Sequence, residues 1–447
     1  MKSEIKIFPY PDGEVQRVHL VRLENWQQLD FWQLSYAEPA MDCFARIYRQ
    51  FLVPKQPWVF GNMIMFRIPE DLEVDCPFVT KKYGTLADKL TAAAAALESG
   101  VKIVGGKPVF KNRWVKDFWN ALKQRNCLEV ISGKLPVTTV IPVGNTAGFM
   151  TQAEPDAALK MNASFFIMDR FDCATVFDHI GTPLGLCVKN GVVENPPLFR
   201  REALLVKNDG STCIGTPDVL DMKIEINGRT YIHGKNAQIY SRPERAKTPY
   251  RAGVKLVIIG CRVAAVCTGG RVPIPASGFV LCPEGECTAK PGDRVIYRGM
   301  ENIQFGIQVG NSIVRDGVKT EKFLSRFYNI RGLDPVPFPP SLYPLDYTGA
   351  RAARTALGAD AQGKPMLLWA EGAAKVGHTP GEDSCGATLK DMARICSELG
   401  MVNGVNMDGG GSAQLLIDNK RSLMISDRSF PDGAETERPV PLALVVR

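Results

Sequence analysis

The sequence predicts an α+β fold: a mixed, largely antiparallel sheet domain with few helices, preceded by a smaller N-terminal region of α/β type. Its 447 residues are enough for about two to four domains. Glycine (41) and proline (31) are frequent, as in folds that are built from many short strands. Short β-type runs alternate with turn signals from about residue 135 onward. We therefore divide the chain into residues 1–134 and 135–447.

The N-terminal region, residues 1–134, is rich in aromatic residues and irregular in pattern. Residues 63–68 are apolar and end at a proline, which predicts a short buried strand. Residues 86–97 contain five consecutive alanines and predict a helix. Residues 111–124 carry an amphipathic stripe and predict a second helix. No functional motif is recognisable in this region, so partner binding and substrate gating both stay open as its role.

The second region, residues 135–447, has a sequence pattern that is typical of an antiparallel sheet. Its β-type runs are joined by dipeptides that favour two-residue hairpin turns, since both central residues of such turns adopt positive φ. These dipeptides are Asn190-Gly191, Asn227-Gly228 and Asp316-Gly317.

One helix interrupts the predicted strands at residues 388–399. Its apolar residues fall on one face. Thr388 is the predicted N-cap, and Asp391 lies three residues later, as in a capping box. Gly400 ends the helix.

Composition excludes several classes of protein. The net charge of +7 is small for this length, and no block of basic residues suggests binding to nucleic acid. No apolar run is long enough to span a membrane. The N-terminus lacks the apolar core of a signal peptide, so we expect a cytoplasmic protein or one whose leader has been removed.

Cysteine and histidine usage gives little support for a metal or disulfide framework. The twelve cysteines form no recognisable pattern, and the four histidines are far apart in the sequence. We therefore expect free, buried thiols, as in proteins of a reducing compartment.

The most specific segment is GVNMDGGGSAQ at residues 404–414. Three consecutive glycines are conformationally costly in ordered structure, so they indicate a sharp turn or a close approach of the backbone to a ligand. Successive N–H groups of Gly409–Gly411 could form an anion site beside Asp408, and Ser412 would add a hydroxyl. A tight turn without a ligand explains the glycines equally well.

Two further segments carry polar residues within apolar surroundings. In MNASFF (161–166), Asn162 lies at a predicted strand end, where it could donate to a sugar hydroxyl or a phosphate oxygen or simply form a turn. Arg354 lies in a strand-like segment. Arginine binds phosphate and carboxylate groups bidentately, although a surface or ion-paired arginine is the more ordinary interpretation.

Taken together and in order, these segments resemble the phosphodiester glycosidase family. The similar segments are VNGVNMDGGGSAQLL (402–416), RAARTALGADAQGKPMLLWAEG (351–372), GATLKDMARICSELG (386–400), NASFF (162–166), Ser426-Asp427 and ERPV (437–440). The resemblance implies that residues 135–447 form a phosphodiester glycosidase domain, a hydrolase that cleaves a sugar from a sugar-1-phosphodiester. Ala163 and Ser164 stand where the family usually has glycine, which affects the expected sugar specificity.

The resemblance also implies roles for individual residues. Asp408 would stabilise an oxocarbenium-like carbon or activate water, while Arg354 and the glycine turn would hold the phosphate. Asn162 would orient a sugar hydroxyl or a phosphate oxygen. The remaining predicted substrate-binding residues are Gly409, Gly410, Gly411, Ser412, Ser164, Arg438, Glu371 and Asp391, with Asp383 as a further reserve carboxylate. Arg438 is equally well explained as a structural ion pair, and Asp391 is better explained as a helix cap.

An ionised Asp408 would repel a phosphate. It should therefore face the sugar, pair with Arg354 or be bridged by a divalent cation; the sequence assigns no other cofactor. The expected partner is a sugar-phosphodiester or a glycopolymer, with no nucleic acid and no membrane span. Two alternatives stay open: a non-catalytic module that binds a phosphosugar or cell-wall glycopolymer, and a glycosidase acting on glycosides without phosphate.

Overall fold

The computed structural model describes most of the chain beyond residue 147 and selected parts before it. The described residues are 1–34, 58–60, 63–65, 100–111, 113, 115–116, 119–120, 137–140, 148–154, 156–167, 175, 177–178, 181–198, 201–242, 245–323, 349–373, 378–427 and 434–447. The predicted helix at 86–97 and residues 66–68 of the predicted strand lie outside them. Residues 113, 115–116 and 119–120, within the predicted helix at 111–124, are helical.

The described residues form 31 strands, of which the first ten precede residue 170. These are β1 (Lys2–Pro9), β2 (Val15–Arg22), β3 (Leu29–Gln33), β4 (Trp58–Phe60), β5 (Met63–Met65), β6 (Val101–Val104), β7 (Lys107–Phe110), β8 (Val137–Val140), β9 (Leu159–Asn162) and β10 (Phe165–Phe166).

The next fifteen strands are β11 (Pro183–Leu184), β12 (Cys187–Lys189), β13 (Val192–Asn195), β14 (Ala203–Lys207), β15 (Thr212–Gly215), β16 (Lys223–Ile226), β17 (Arg229–Ile232), β18 (Ala237–Ser241), β19 (Val254–Ile259), β20 (Arg262–Thr268), β21 (Gly278–Pro283), β22 (Val295–Arg298), β23 (Ile303–Ile307), β24 (Ser312–Arg315) and β25 (Val318–Lys319).

The C-terminal part contributes β26 (Arg354–Asp360), β27 (Pro365–Ala370), helix α1 (Leu389–Glu398), β28 (Met401–Asn406), β29 (Leu415–Ile417), β30 (Lys420–Arg421) and β31 (Leu442–Val446). Short 3₁₀ turns lie at Trp26–Gln28, Met150–Gln152, Val219–Asp221 and Gly410–Ser412.

Two sheets position the site. One has seven strands in the order β1-β2-β27-β26-β28-β24-β25, and the other has five in the order β3-β31-β9-β29-β30. Two more five-stranded sheets, β13-β12-β23-β14-β15 and β18-β21-β19-β20-β8, and a three-stranded sheet, β17-β16-β22, complete the larger part of the fold.

The strand pairing is more uniformly antiparallel than the sequence suggested. Every pairing between the strands given above is antiparallel. Parallel contact in the described part of the chain is limited to isolated bridges such as the one from Val15 to Ser384. The sheet-rich, largely antiparallel prediction is thus supported, and the mixed character is limited to these bridges.

The central strands of the seven-stranded sheet are buried on both faces, which explains their continuous apolar sequences. In β27 (PMLLWA) all six residues are buried. Leu367 and Trp369 face a core shared with the five-stranded sheet β3-β31-β9-β29-β30, while Met366 and Leu368 pack in a second core with helix α1. Alternate side chains of one strand therefore join two different cores.

The chain crosses from the seven-stranded sheet to the five-stranded sheet between β28 and β29. Residues 407–414 make this crossing, and they contain the DGGGS segment. The fold thus places the most specific sequence motif at one end of the two packed sheets.

The predicted helix and its cap are confirmed. Thr388 precedes α1, and its hydroxyl accepts a hydrogen bond from the backbone N–H of Asp391, whose carboxylate accepts from the backbone N–H of Thr388 in return. Leu389, Met392 and Cys396 are among the buried residues of the helix.

The hairpin turns are also confirmed. Asn190, Asn227 and Asp316 have φ between 49° and 51°. Asp418 and Asn419, which form a further turn, have φ of 47° and 61°. The glycines that follow Asn190, Asn227 and Asp316 have positive φ as well. Both central residues of these turns therefore adopt the conformation that two-residue hairpins need.

The N-terminal segment contributes strands to both packed sheets. β2 pairs with β27, and β3 pairs with β31. The division of the chain near residue 135 stays a prediction, and it would separate strands that are hydrogen-bonded to each other.

Candidate active site

The DGGGS segment forms a 3₁₀ turn immediately after β28, and the protein itself uses two of its N–H groups. The N–H of Gly409 donates to Oδ1 of Asp408 at 2.9 Å, and that of Gly410 donates to the carbonyl of Ala353 at 2.8 Å. Among these three glycines, only the N–H of Gly411 has no acceptor in the described part of the chain. The predicted anion nest is therefore reduced to one free backbone donor.

Asp408 is partly buried at the start of this turn. Burial raises the pKa of its carboxyl from the usual 3.8 to about 6, because the ionised form loses solvation. A hydrogen bond from Ser412, the positive charge of Arg438 and the N–H of Gly409 act in the opposite direction, and the negative charge of Asp427 adds to the increase. The carboxyl thus changes protonation near neutral pH, as a proton-transfer group requires.

Arg438 forms a bidentate ion pair beside Asp408. Its Nε and Nη2 donate to the two carboxylate oxygens of Asp427 at 2.8 Å and 3.0 Å, and its Nη1 donates to the Ser412 hydroxyl at 3.3 Å. Of the two roles predicted for Arg438, the ion pair is the one that its contacts show. Two nitrogens of the fork bind Asp427, and the third is aimed at the turn.

Gly411 is needed because the Asp427 carboxylate lies directly against it. A Cβ atom at Gly411 would lie 2.0 Å from Oδ1 and 2.2 Å from Cγ of Asp427. At Gly409, a Cβ atom would lie 2.8 Å from the carbonyl oxygen of Ala353. Gly409 and Gly411 therefore have different reasons to be glycine, and Gly410 has a third, its φ of +59°.

Arg354 lies beneath the turn and is only 4% exposed. Its Nε donates to the carbonyl of Ala387 at 3.1 Å, and Nη2 donates to that of Ala350 at 2.9 Å. Its Cδ lies 3.5 Å from the position that a Cβ of Gly409 would occupy. The guanidinium thus ties together two backbone segments next to the glycine turn.

Asn162 is buried where β9 ends, and its amide binds the crossing segment. Its Nδ2 donates to the carbonyl of Asp408 at 2.7 Å, and its Oδ1 accepts from the N–H of Gln414 at 3.0 Å. The Thr355 hydroxyl donates to the same carbonyl of Asp408 at 2.7 Å. Asn162 therefore fixes the backbone on both sides of the glycine triplet.

Ser164, two residues further along, is 3% exposed. Its hydroxyl oxygen is buried, and it has no hydrogen-bond partner among the residues that the structure describes. Ser164 is thus a polar group whose bonding the fold leaves open.

The reserve carboxylates have other partners. Glu371 is 4% exposed and lies 2.8 Å from Nε of Arg17 on β2. Asp391 caps α1, as described above, and Asp383 accepts a hydrogen bond from the N–H of Thr379 at 2.8 Å. The structure therefore brings together Asn162, Arg354, the DGGGS segment and Arg438, and it gives Glu371, Asp383 and Asp391 contacts elsewhere.

Three participants were not predicted as site residues: Asp427, Thr355 and Arg17. In the sequence, Asp427 stands out only as part of Ser426-Asp427, and Thr355 only as a neighbour of Arg354. Their roles depend on contacts between segments that are distant in the sequence, so no local pattern identifies them. The pairing of Asp427 with Arg438 spans a separation of 11 residues, and that of Arg17 with Glu371 connects opposite ends of the chain.

Within the described ranges, no group of three or more His, Cys, Asp or Glu side chains is arranged to hold a metal ion. Over those ranges, too, no helix has the length and apolar character to cross a membrane. The cysteines that the structure describes are free thiols.

The fold and site define a sheet-rich protein with a partly buried acid on a glycine-rich turn between two packed sheets. Residues 272–447 match the sequence model of the phosphodiester glycosidase family, a family of hydrolases, and this confirms the family resemblance. The matched range includes Arg354, Asp408 and Arg438, and it leaves Asn162 and Ser164 outside. No curated protein sequence matches the chain significantly.

The solved structures that are similar to the chain include three from different organisms. A hypothetical protein from Synechocystis is 15% identical, with a TM-score of 0.41; the match covers 100% of this chain and 62% of that protein. The catalytic domain of zebrafish N-acetylglucosamine-1-phosphodiester α-N-acetylglucosaminidase is 13% identical, with a TM-score of 0.34 and 68% of each chain covered. A protein from Burkholderia pseudomallei is 15% identical, with a TM-score of 0.42, 100% of this chain and 96% of that protein being covered.

The contact between Gly411 and Asp427 predicts a selective effect of added side chains. Gly411→Ala should lower the free energy of unfolding by about 1–3 kcal/mol, because its Cβ would collide with a carboxylate that Arg438 holds in place. Gly410→Asn is the matched control, since nothing lies within 4 Å of a Cβ there and asparagine tolerates positive φ. Urea unfolding measures both variants, and equal losses would contradict the steric explanation.

Proposed function

We propose that this protein hydrolyses a sugar-1-phosphodiester and releases a free sugar and a phosphomonoester. The observation that carries the proposal is Asp408, a carboxyl with a pKa of about 6 on the DGGGS turn, within the segment that matches the phosphodiester glycosidase family. Such a group exchanges a proton readily at physiological pH. The nearby Gly411 N–H supplies a backbone donor for an anionic substrate, and Arg438 places positive charge next to the turn.

In this mechanism the ionised Asp408 accepts a proton from a water molecule whose oxygen attacks the anomeric carbon. The bond between that carbon and the phosphate oxygen breaks, and its electron pair leaves with the phosphate. Because phosphate is a good leaving group, little protonation of the departing oxygen is needed. The same carboxylate would also stabilise positive charge on an oxocarbenium-like sugar carbon.

The donors around the turn suit the departing phosphate. Nη1 of Arg438 contacts the Ser412 hydroxyl of the turn, and the neighbouring Gly411 N–H has no acceptor within the described ranges. Hydrogen-bond donors that are fixed before the reaction stabilise developing negative charge without reorganisation. Arg354 and Asn162 hold the backbone of the same turn, so we propose that they position the site rather than touch the reacting atoms.

The contacts define the part of the site that would bind the sugar less completely than the part that would bind the phosphate. The buried hydroxyl of Ser164 has no partner within the described ranges, and it stands where the family usually has glycine. We propose that it contributes to sugar specificity. We propose no direct substrate contact for Glu371 or Asp391, since both carboxylates are engaged within the protein.

The substrate class is tested with a panel of sugar-1-phosphodiesters that carry different sugars, each assayed with and without a chelator. We expect release of free sugar from at least one member and competition by inorganic phosphate. Binding without release would favour a non-catalytic phosphosugar module. Cleavage of an aryl glycoside that phosphate does not inhibit would favour an ordinary glycosidase.

Asp408→Asn should reduce sugar release by about 10²–10⁴-fold, because the amide cannot accept the proton. The ionised Asp408 is destabilised by burial, and this cost is present above pH 6 and lost as the pH falls through 6 toward 4. At pH 8 the variant should therefore be no less stable than the wild type. We expect its free energy of unfolding to be higher by on the order of 1–3 kcal/mol. Full activity in the variant would remove Asp408 from the mechanism.

The pH dependence follows from the same group. As the base must be ionised, kcat/KM should rise with pH through a midpoint of about 6 and then level off. Arg438→Gln removes a positive charge that lowers the pKa of Asp408, so its midpoint should move to higher pH. Initial rates between pH 4.5 and 8.5 provide the measurement, and a midpoint below that of the wild type would contradict the assignment.

A further inference from the structure

The N-terminal strand β2 contacts the segment at residues 422–427 through a buried carboxylate. Nε of Arg17 lies 2.8 Å from Oε2 of Glu371, and Oε1 of Glu371 accepts a hydrogen bond from the N–H of Met424 at 2.7 Å. One carboxylate thus connects β2 at one end of the sequence to a segment near the other end.

The backbone holds Glu371 in the same place. Its N–H donates to the carbonyl of Arg17 at 3.0 Å, while its own carbonyl accepts from Nε2 of Gln16 at 2.8 Å and from the hydroxyl of Ser384 at 3.2 Å. The hydroxyl of Ser384 also accepts from the N–H of Arg17 at 3.2 Å. The backbone of Glu371 is therefore fixed in position, and the contacts with Arg17 and Met424 set the direction of its carboxylate.

Two further contacts fix segment 422–427. The Ser422 hydroxyl is hydrogen-bonded to Nδ1 of His19, which also lies on β2. Gly372 packs so closely against Ser426 that a Cβ there would lie 2.3 Å from the Ser426 hydroxyl oxygen. The segment is thus held near its start, middle and end by β2 and by the residues that follow β27.

Segment 422–427 ends at Asp427, which binds the candidate site. Asp427 holds the guanidinium of Arg438 through two hydrogen bonds and lies against Gly411 of the turn. A small displacement of this segment would move the ion pair relative to Asp408.

We propose that Arg17 is a positioning residue of the candidate site, acting through Glu371 and segment 422–427 on the Asp427–Arg438 pair. The proposal rests on the function proposed above for its kinetic consequences. It also gives a role to part of the N-terminal region, since residue 17 lies far outside the family match at 272–447.

The charges explain why an arginine is needed here. A buried carboxylate that loses its cationic partner is strongly disfavoured, so it reorients toward water. Glu371 is 4% exposed, whereas a third of the Arg17 side chain reaches solvent. Without Arg17, the carboxylate would release the N–H of Met424, and the segment would lose its central contact.

Arg17→Gln is the decisive variant, and Arg22→Gln is its matched control. Both arginines lie on β2 with side chains that are 33% exposed, and Arg22 pairs instead with Asp360, at 3.9 Å, at the other end of the strand. We expect kcat to fall by about 10–100-fold in Arg17→Gln, as small misplacements of reacting groups do, and to stay near wild type in Arg22→Gln. The double variant Arg17→Gln/Glu371→Gln should be no slower than Glu371→Gln alone.

A second measurement does not depend on activity. Carbon NMR of the Asp408 carboxyl group gives its pKa in each variant. Arg438 lowers this pKa and Asp427 raises it, so displacing their pair relative to Asp408 should change the pKa of Asp408 from its wild-type value. We expect this shift in Arg17→Gln and no shift in Arg22→Gln.

The two measurements separate the two proposals. A wild-type protein without hydrolytic activity would refute the proposed function, while the NMR shift would still support the role of Arg17. Equal Asp408 pKa values in the two arginine variants would overturn that role. So would equal losses of kcat that follow equal losses of melting temperature, since they would indicate a purely structural effect of altering β2.

Discussion

The crossing of the chain between two packed sheets at residues 407–414 is the constraint on which the site depends. Backbone polar groups in a buried crossing need hydrogen-bond partners, because unpaired ones are costly. Asn162 and Thr355 both donate to the carbonyl of Asp408, and Asn162 also accepts from the N–H of Gln414. These bonds fix the direction in which the backbone enters and leaves the glycine turn. They therefore also fix the backbone position from which the Asp408 side chain projects.

The electrostatics of the turn depend on a balance of three charged groups. An unpaired arginine close to an aspartate usually lowers the carboxyl pKa by about 1–3 units. Here two nitrogens of the Arg438 guanidinium are bound by Asp427, so much of its charge is compensated. Burial then dominates, and the pKa of Asp408 rises to about 6. Asp427 thus orients Arg438 and also keeps it from making Asp408 a permanently ionised acid.

Sequence patterns predicted the local features of the fold and failed where distant segments meet. The Thr388–Asp391 capping box and the Asn190-Gly191 turn depend on neighbouring residues, and both could be predicted. The glycines at 409–411 marked the position of the site but not the fate of their N–H groups, two of which bind within the protein. Asp427 could not be assigned a partner from the sequence, because a carboxylate followed 11 residues later by an arginine is common.

The same distinction applies to the organisation of the chain. A change in composition near residue 135 suggests a boundary, yet β27 lies between β2 and β26, and β31 lies between β3 and β9. If β2 were removed, β27 would become an edge strand with an unpaired row of backbone groups and a continuous apolar sequence, the combination that natural sheets avoid. The segment at 272–447 that matches the family supplies β26, β27 and β31 but not β2, β3 or β9. The first 33 residues are therefore part of the framework that holds the candidate site, whatever the role of the residues between them and residue 135.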